Sequence, residues 1–222
     1  MLSKIFTALT ASKSSIDEAF EDLTKMLEHA EWMFLQANDV LHARVTAAEA
    51  HEAIYARDRA INDLERTIRR KVLQHLTVNP GFDVAVCLAL MSVAKDAERI
   101  GDYCKNVFEV GRFYTEGFHV PKYHEPLETF ACQTNDMFDL VIDACREADE
   151  RQASKALLLA QDIRKGCDKV IEALFDEEEP MAFHEAVAYS LLARHYKRVA
   201  AHLANIATGI LGDLEELDFE QH

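Results

Sequence analysis

Basic charge is scarce in this chain. Its 222 residues hold 24 Lys and Arg against 39 Asp and Glu, a net charge of −15. That balance argues against nonspecific binding to DNA or RNA, whose phosphates demand Lys and Arg. Proline is also scarce, at four residues, while 49% of the chain is hydrophobic. The composition is globular rather than disordered. No CxxC pair occurs among the five cysteines, Cys87, Cys104, Cys132, Cys145 and Cys167. This speaks against a zinc–thiolate centre, and the cysteines read as small core residues of a reducing compartment. Long apolar runs are missing. The longest, VAVCLALMSVA at 84–94, has 11 residues, short of the ~20 that span a bilayer. The opening stretch MLSKIFTALTASKSS is too short and too polar-flanked for a signal peptide. A soluble, cytoplasmic protein is expected.

Strand alternation is absent as well, and so are the GxxxxGK phosphate loop, the GxSxG elbow and HExxH. What fills the chain is helical periodicity. The first helix opens on a capping box, Ser15-x-x-Glu18, and carries an apolar stripe through Ile16, Phe20, Leu23, Leu27, Ala30, Phe34, Ala37 and Leu41. A second runs from about Ala47 to Leu76, through Ile54, Ile61, Ile68 and Val72. TVNPGFD (77–83) breaks it, and a third spans about 82–114. TEGFHVPKYHEP (115–126) collects two prolines and a glycine and reads as a linker. Three further helices follow, at about 127–148, 152–175 and 181–213.

The expected fold is all-α: six long antiparallel helices in two tandem three-helix bundles. The boundaries are an N-terminal segment (1–13), a first bundle (14–114), the linker (115–126), a second bundle (127–214) and an acidic tail (215–222). Duplication is visible in the third and sixth helices at an offset of 99. Ala89 then meets Ala188, Ala94 meets Ala193, Arg99 meets Arg198, Ile100 meets Val199, Asn106 meets Asn205 and Val107 meets Ile206. Glu98 meets Lys197 and Asp102 meets Ala201. The packing residues repeat; the acids do not.

Those acids are the candidate site. Glu98, Asp102 and Asn106 lie four apart on one helix face, where like charges repel by about 0.2–0.5 kcal/mol per pair. Gly101 between them costs a helix interior roughly 1 kcal/mol against Ala, and permits close helix approach. The preceding helix offers a matching stripe of Asp58, Asn62 and Glu65. Hard oxygen ligands on two adjacent antiparallel helices suit a metal cation, which would turn repulsion into a reason for proximity. The competing reading is a solvated acidic helix face, with Arg99 pairing an acid. Arg66, Arg69, Arg70 and Lys71 read as a solvated face or a dock for an acidic partner or anionic lipid headgroups. His195 and His202 read as polar packing, and Trp32 as a core or interface aromatic.

AERIGDYCKNV (97–107) resembles the signature of the PhoU family, a Glu-Arg-Ile-Gly-Asp core followed four residues later by Asn. The matching residues are Glu98, Arg99, Ile100, Gly101, Asp102 and Asn106. RDRAINDLERTI (57–68) is similar to the family's preceding helix, through Asp58, Asn62 and Glu65. The resemblance covers about residues 14–213 and implies a duplicated three-helix bundle. It also implies a metal ion (Fe, Zn, Mn or Mg) on these six residues, in the first bundle only. The second half departs from the pattern. HYKRVAAHLANI (195–206) has Lys197 and Ala201 in place of the two acids, and Asp58, Asn62 and Glu65 correspond to Ala160, Arg164 and Cys167. Lys197 is expected to set an ammonium where a cation would sit.

The resemblance implies a non-enzymatic adaptor that restrains phosphate uptake and the phosphate-starvation response. Its partners would be a phosphate transporter, a sensor histidine kinase, or both, with a homodimer as a further association and membranes reached only through partners. An accessory subunit of a sodium–phosphate cotransporter or permease is the alternative within that class. The competing class is a ferritin-like carboxylate metal enzyme. It needs Glu-x-x-His pairs on helices, and the Glu-x-x-His present here, Glu116/His119, lies in the linker.

Overall fold

The computed structural model describes residues 15–81 and 83–212, and within them six helices. These are α1 (Ser15–Leu41), α2 (Ala47–Val78), α3 (Val84–Phe113), α4 (Pro121–Glu147), α5 (Glu150–Phe175) and α6 (Phe183–Leu211). The N-terminal segment and acidic tail read from the sequence lie outside the described residues.

Each helix is amphipathic and buries one stripe. On α1, Ile16, Leu23, Leu27, Ala30, Phe34, Ala37 and Leu41 are all buried, while Phe20 packs against the core from its edge. The turns are built locally. Thr46 caps α2 in a reciprocal box with Glu49, each side chain meeting the other's backbone N–H. Asp149 caps α5, its carboxylate accepting from the Arg151 N–H at 2.8 Å.

Helices α1, α2 and α3 form one bundle and α4, α5 and α6 the other, and a single apolar core runs through both. Two antiparallel contacts join the halves. On α1 and α4, Phe34 meets Phe138 at a ring separation of 5.8 Å, and further along His42 meets Glu128 at 3.7 Å. On α3 and α6, Asp96 meets His202 and Tyr103 meets His195. Adding the repeat offset of 99 to Asp96 gives His195, and to Tyr103 gives His202. The two α3–α6 contacts are therefore images of each other, and the duplication is a pseudo-twofold relation about the Ile100/Val199 level. The repeat-matched pairs Ala89/Ala188, Ala94/Ala193, Ile100/Val199 and Val107/Ile206 are all buried.

The 115–126 linker is shorter than its composition indicates. Helix α4 begins at Pro121 and carries Pro126 in its interior. An interior proline removes a backbone hydrogen bond, at a cost of about 3 kcal/mol. Tertiary contacts hold the opening turns instead. Val120 N–H donates to Tyr189 Oη at 3.2 Å, His119 N–H to Glu185 Oε1 at 2.6 Å, and Tyr123 Oη to the Ala173 carbonyl at 3.0 Å.

Four of the five cysteines are buried, as the sequence indicates; Cys132 is exposed instead. Burial pushes the Cys145 and Cys167 thiols up to about 12, which leaves them inert packing groups.

Candidate functional site

Helices α2 and α3 run antiparallel side by side. Tyr55 Oη reaches Glu109 Oε1 at 3.3 Å near one end, and His75 reaches Asp83 at 3.1 Å near the other. Gly101 has its reason here. A Cβ at that position would come within 3.0 Å of the Ile61 Cδ1 methyl, so any larger residue at 101 requires the Ile61 side chain to shift.

The structure brings Asp58 and Asp102 together, but around an ammonium. Lys105 Nζ lies 2.8 Å from Asp58 Oδ1 and 3.0 Å from Asp102 Oδ1. Burial works against the Lys105 charge, yet the two carboxylates outweigh it and hold its pKa above the usual lysine range. Glu98 is engaged on its own helix by Lys95 at 2.7 Å, and Arg99 stands 3.7 Å from Asp102. Glu65, nearly buried, is engaged by Arg69 at 2.6 Å on α2. Asn62 folds back to the Asp58 carbonyl at 2.9 Å. Asn106 lines a cleft between α3 and α6.

As arranged, the four carboxylates of this donor set are engaged by side-chain cations, and among the described residues no group of three or more His, Cys, Asp or Glu side chains is placed to hold a metal ion. The seam does have the chemistry of a cation-closed clasp; the cation is a side chain.

In the second half Lys197, at the Glu98-equivalent position of α6, grips Asp168 on α5, its Nζ lying 2.6 and 2.7 Å from the two carboxylate oxygens. Asp168 went unnoticed in the sequence because it follows Cys167, the counterpart of Glu65, by one residue. A third lysine does the same work between α1 and α2. Lys71 Nζ meets Asp22 Oδ2 at 2.7 Å and Glu18 Oε2 at 3.2 Å. Burial alone would raise the Asp22 pKa; Lys71 and Lys25 reverse that and hold it low. In the Arg66–Lys71 cluster, Arg66 pairs with Asp63 and Arg69 with Glu65, while Arg70 donates to Thr67 Oγ1 at 3.2 Å. Trp32 packs against the core edge with the Arg57 guanidinium 3.9 Å over its ring.

Sequence reasoning also missed Asp96. It is 4% exposed, and its Oδ1 accepts from His202 Nδ1 at 2.7 Å and Asn205 Nδ2 at 3.1 Å. Its image across the repeat is His195, held neutral in apolar surroundings, with its pKa lowered to about 4 by burial and then by Arg194. Tyr103 stacks on His202 at 5.7 Å and takes a hydrogen bond from Arg198 Nε at 3.1 Å. His202 is a polar packing residue, as its sequence context indicates.

Two pseudo-symmetric three-helix bundles, each with a lysine clasping an acid between its second and third helices, define a duplicated helical-bundle protein. Comparison with known proteins gives the class its name. The PhoU domain matches the chain twice, over residues 23–110 and 128–210. The chain belongs to the PhoU family. A phosphate-specific transport system accessory protein PhoU homolog from Synechocystis sp. is 26% identical over 161 residues, 68% of each chain. The fold is similar to the crystal structure of PhoU from Pseudomonas aeruginosa, with a TM-score of 0.78 at 20% identity, covering 89% of this chain and 95% of that one. It is also similar to the phosphate transport system regulatory protein PhoU from Streptococcus pneumoniae, with a TM-score of 0.73 at 18% identity, covering 93% of this chain and all of the other.

Proposed function

We propose that this protein is a non-catalytic cytoplasmic adaptor that restrains phosphate uptake and the phosphate-starvation response by docking on a phosphate transporter, a sensor histidine kinase, or both. The observation that carries this reading is the double match to the PhoU domain on a two-bundle fold. No helix among the described residues is long and apolar enough to cross a membrane, so membrane proteins are reached through contact. Deleting the gene tests the reading. Phosphate uptake in phosphate-replete cells should rise and the starvation response should switch on; uptake and response at wild-type levels would overturn it.

Metal coordination by Glu98, Asp102, Asp58, Glu65, Asn62 and Asn106, drawn from the family resemblance, is a separate proposal. It asks a divalent or trivalent cation to displace the Lys105 ammonium from Asp58 and Asp102. Thermal unfolding with and without manganese or iron, on wild type and on Lys105→Met, tests it. A metal-dependent rise in melting temperature in wild type supports it. A rise confined to Lys105→Met shows that the lysine is the resident cation.

A further inference from the structure

Where α3 ends and α6 begins, the two antiparallel helices diverge and leave an open cleft of 610 Å³. Its walls are apolar. Phe113 and Phe183 are 75% and 84% exposed, and Val187 and Leu191 are 41% and 38% exposed. Isolated exposed apolar side chains need no explanation, but four of them gathered in one cleft are a contact surface. Phe113 comes from the first half and the other three from the second, so the cleft exists only where the repeats meet. At the image position across the pseudo-twofold, Val84 and Leu88, the counterparts of Phe183 and Val187, are also exposed, but Thr208 and Gly209 replace Glu109 and Val110.

The carboxylates that line the cleft, Glu109 and Glu116, are not matched by a lining Lys or Arg. Glu109 accepts from Tyr55 and Glu116 meets His184 at 2.7 Å. Arg112 rests against the Phe113 ring at 5.3 Å without lining the cleft. On a chain of net charge −15, this end of the molecule attracts cationic partners. The geometry is that of a groove between two helices, which a third helix fills with an i, i+3, i+4, i+7 apolar stripe. We infer that the α3–α6 cleft docks an amphipathic helix of a partner protein, one whose Leu-type face seats against Phe113, Phe183, Val187 and Leu191 and whose Lys or Arg flanks meet Glu109 and Glu116. The inference rests on the adaptor reading above and gives it a surface and a partner chemistry.

The test uses the full chain and a fluorescein-labelled 18-residue helical peptide of leucine and lysine, with the leucines on one stripe. Its counterpart replaces every lysine with glutamate. Fluorescence anisotropy at physiological salt should show binding of the lysine peptide only. The Phe113→Ser/Phe183→Ser and Glu109→Lys/Glu116→Lys variants should each weaken it at least tenfold. The control Glu147→Lys/Glu150→Lys carries the same charge change on exposed positions at the α4–α5 turn and should stay within threefold of wild type. Both phenylalanines are largely exposed, so their removal leaves the fold intact, which circular dichroism melting checks. Three results overturn the inference: no binding of the lysine peptide by wild type, wild-type binding by the cleft variants, or a control that falls as far as Glu109→Lys/Glu116→Lys. In cells, a Phe113→Ser/Phe183→Ser protein that regulates phosphate uptake like wild type, where the deletion does not, overturns the cleft as the docking surface. A deletion without effect overturns the phosphate role and leaves the peptide result standing.

Discussion

The two halves of the α3–α6 junction make the same contact with different chemistry. On one side Asp96, a buried carboxylate, is held by His202 and Asn205; on the other its image, His195, lies neutral beside the Tyr103 ring. The seams within the halves differ in the same way. Lys105 bridges two partly buried acids, Asp58 on α2 and Asp102 on its own helix, whereas Lys197 reaches a single half-exposed acid, Asp168 on α5. Duplication has kept the backbone and the apolar register while the polar groups have been exchanged pairwise. Ionic groups at such positions add little net stability when paired and cost a great deal when one member is removed. The first half therefore carries the more fragile electrostatics.

His202→Leu should break that comparison most. It removes the imidazole from a buried carboxylate, a change that costs about 3–5 kcal/mol. At about 2–4 °C per kcal/mol for a chain of this size, the melting temperature should fall by roughly 10 °C. Equal losses for His202→Leu and His195→Leu at pH 8 would show that the carboxylate contributes nothing special. Next comes Lys105→Met. Asp58 would then lose its counter-charge and face Asp102, which keeps only Arg99 at 3.7 Å, at about 2 kcal/mol, between the surface and buried limits. Chemical denaturation at low salt measures it.

Acid sharpens the contrast from the other side. The folded pKa of His195, about 4, lies below its unfolded value near 6.5. As pH falls below 6.5 the unfolded chain takes up this proton first, so stability drops until pH passes 4. From neutral pH to 5.5 wild type should lose about 1.4 kcal/mol through this group. His195→Phe should be spared that loss, so the difference between the two denaturation curves should grow over that interval. A constant difference would contradict a neutral His195. Lys197→Met should have the smallest effect, about 0.2–1 kcal/mol and largely screened by salt, because Asp168 is 51% exposed.

The sequence made the six helices legible because each apolar stripe repeats at three and four residues and each turn carries its own breakers or caps. The repeat was legible from one offset. Pro126 was misleading, since a local rule that proline stops helices was overridden by contacts from α5 and α6, more than forty residues away. The candidate site was half legible. Periodicity located Asp58 and Asp102 on facing stripes and assigned Gly101 to close packing. It did not expose Lys105 as their counter-ion, because a lysine three residues after an aspartate looks like any surface i, i+3 pair until the neighbouring helix is in place. Asp96 was invisible for the same reason. Its partner stands 106 residues away on α6, and nothing in its own helix marks it as buried.

The opening of α4 has a kinetic consequence. Its first turns lack one helical hydrogen bond at Pro126 and are secured by Tyr189, Glu185 and the Ala173 carbonyl. Two of those three anchors, Tyr189 and Glu185, are absent until the last helix has docked. Nucleation should therefore start elsewhere, with mutations at Tyr123 or Tyr189 speeding unfolding while leaving the refolding rate nearly unchanged.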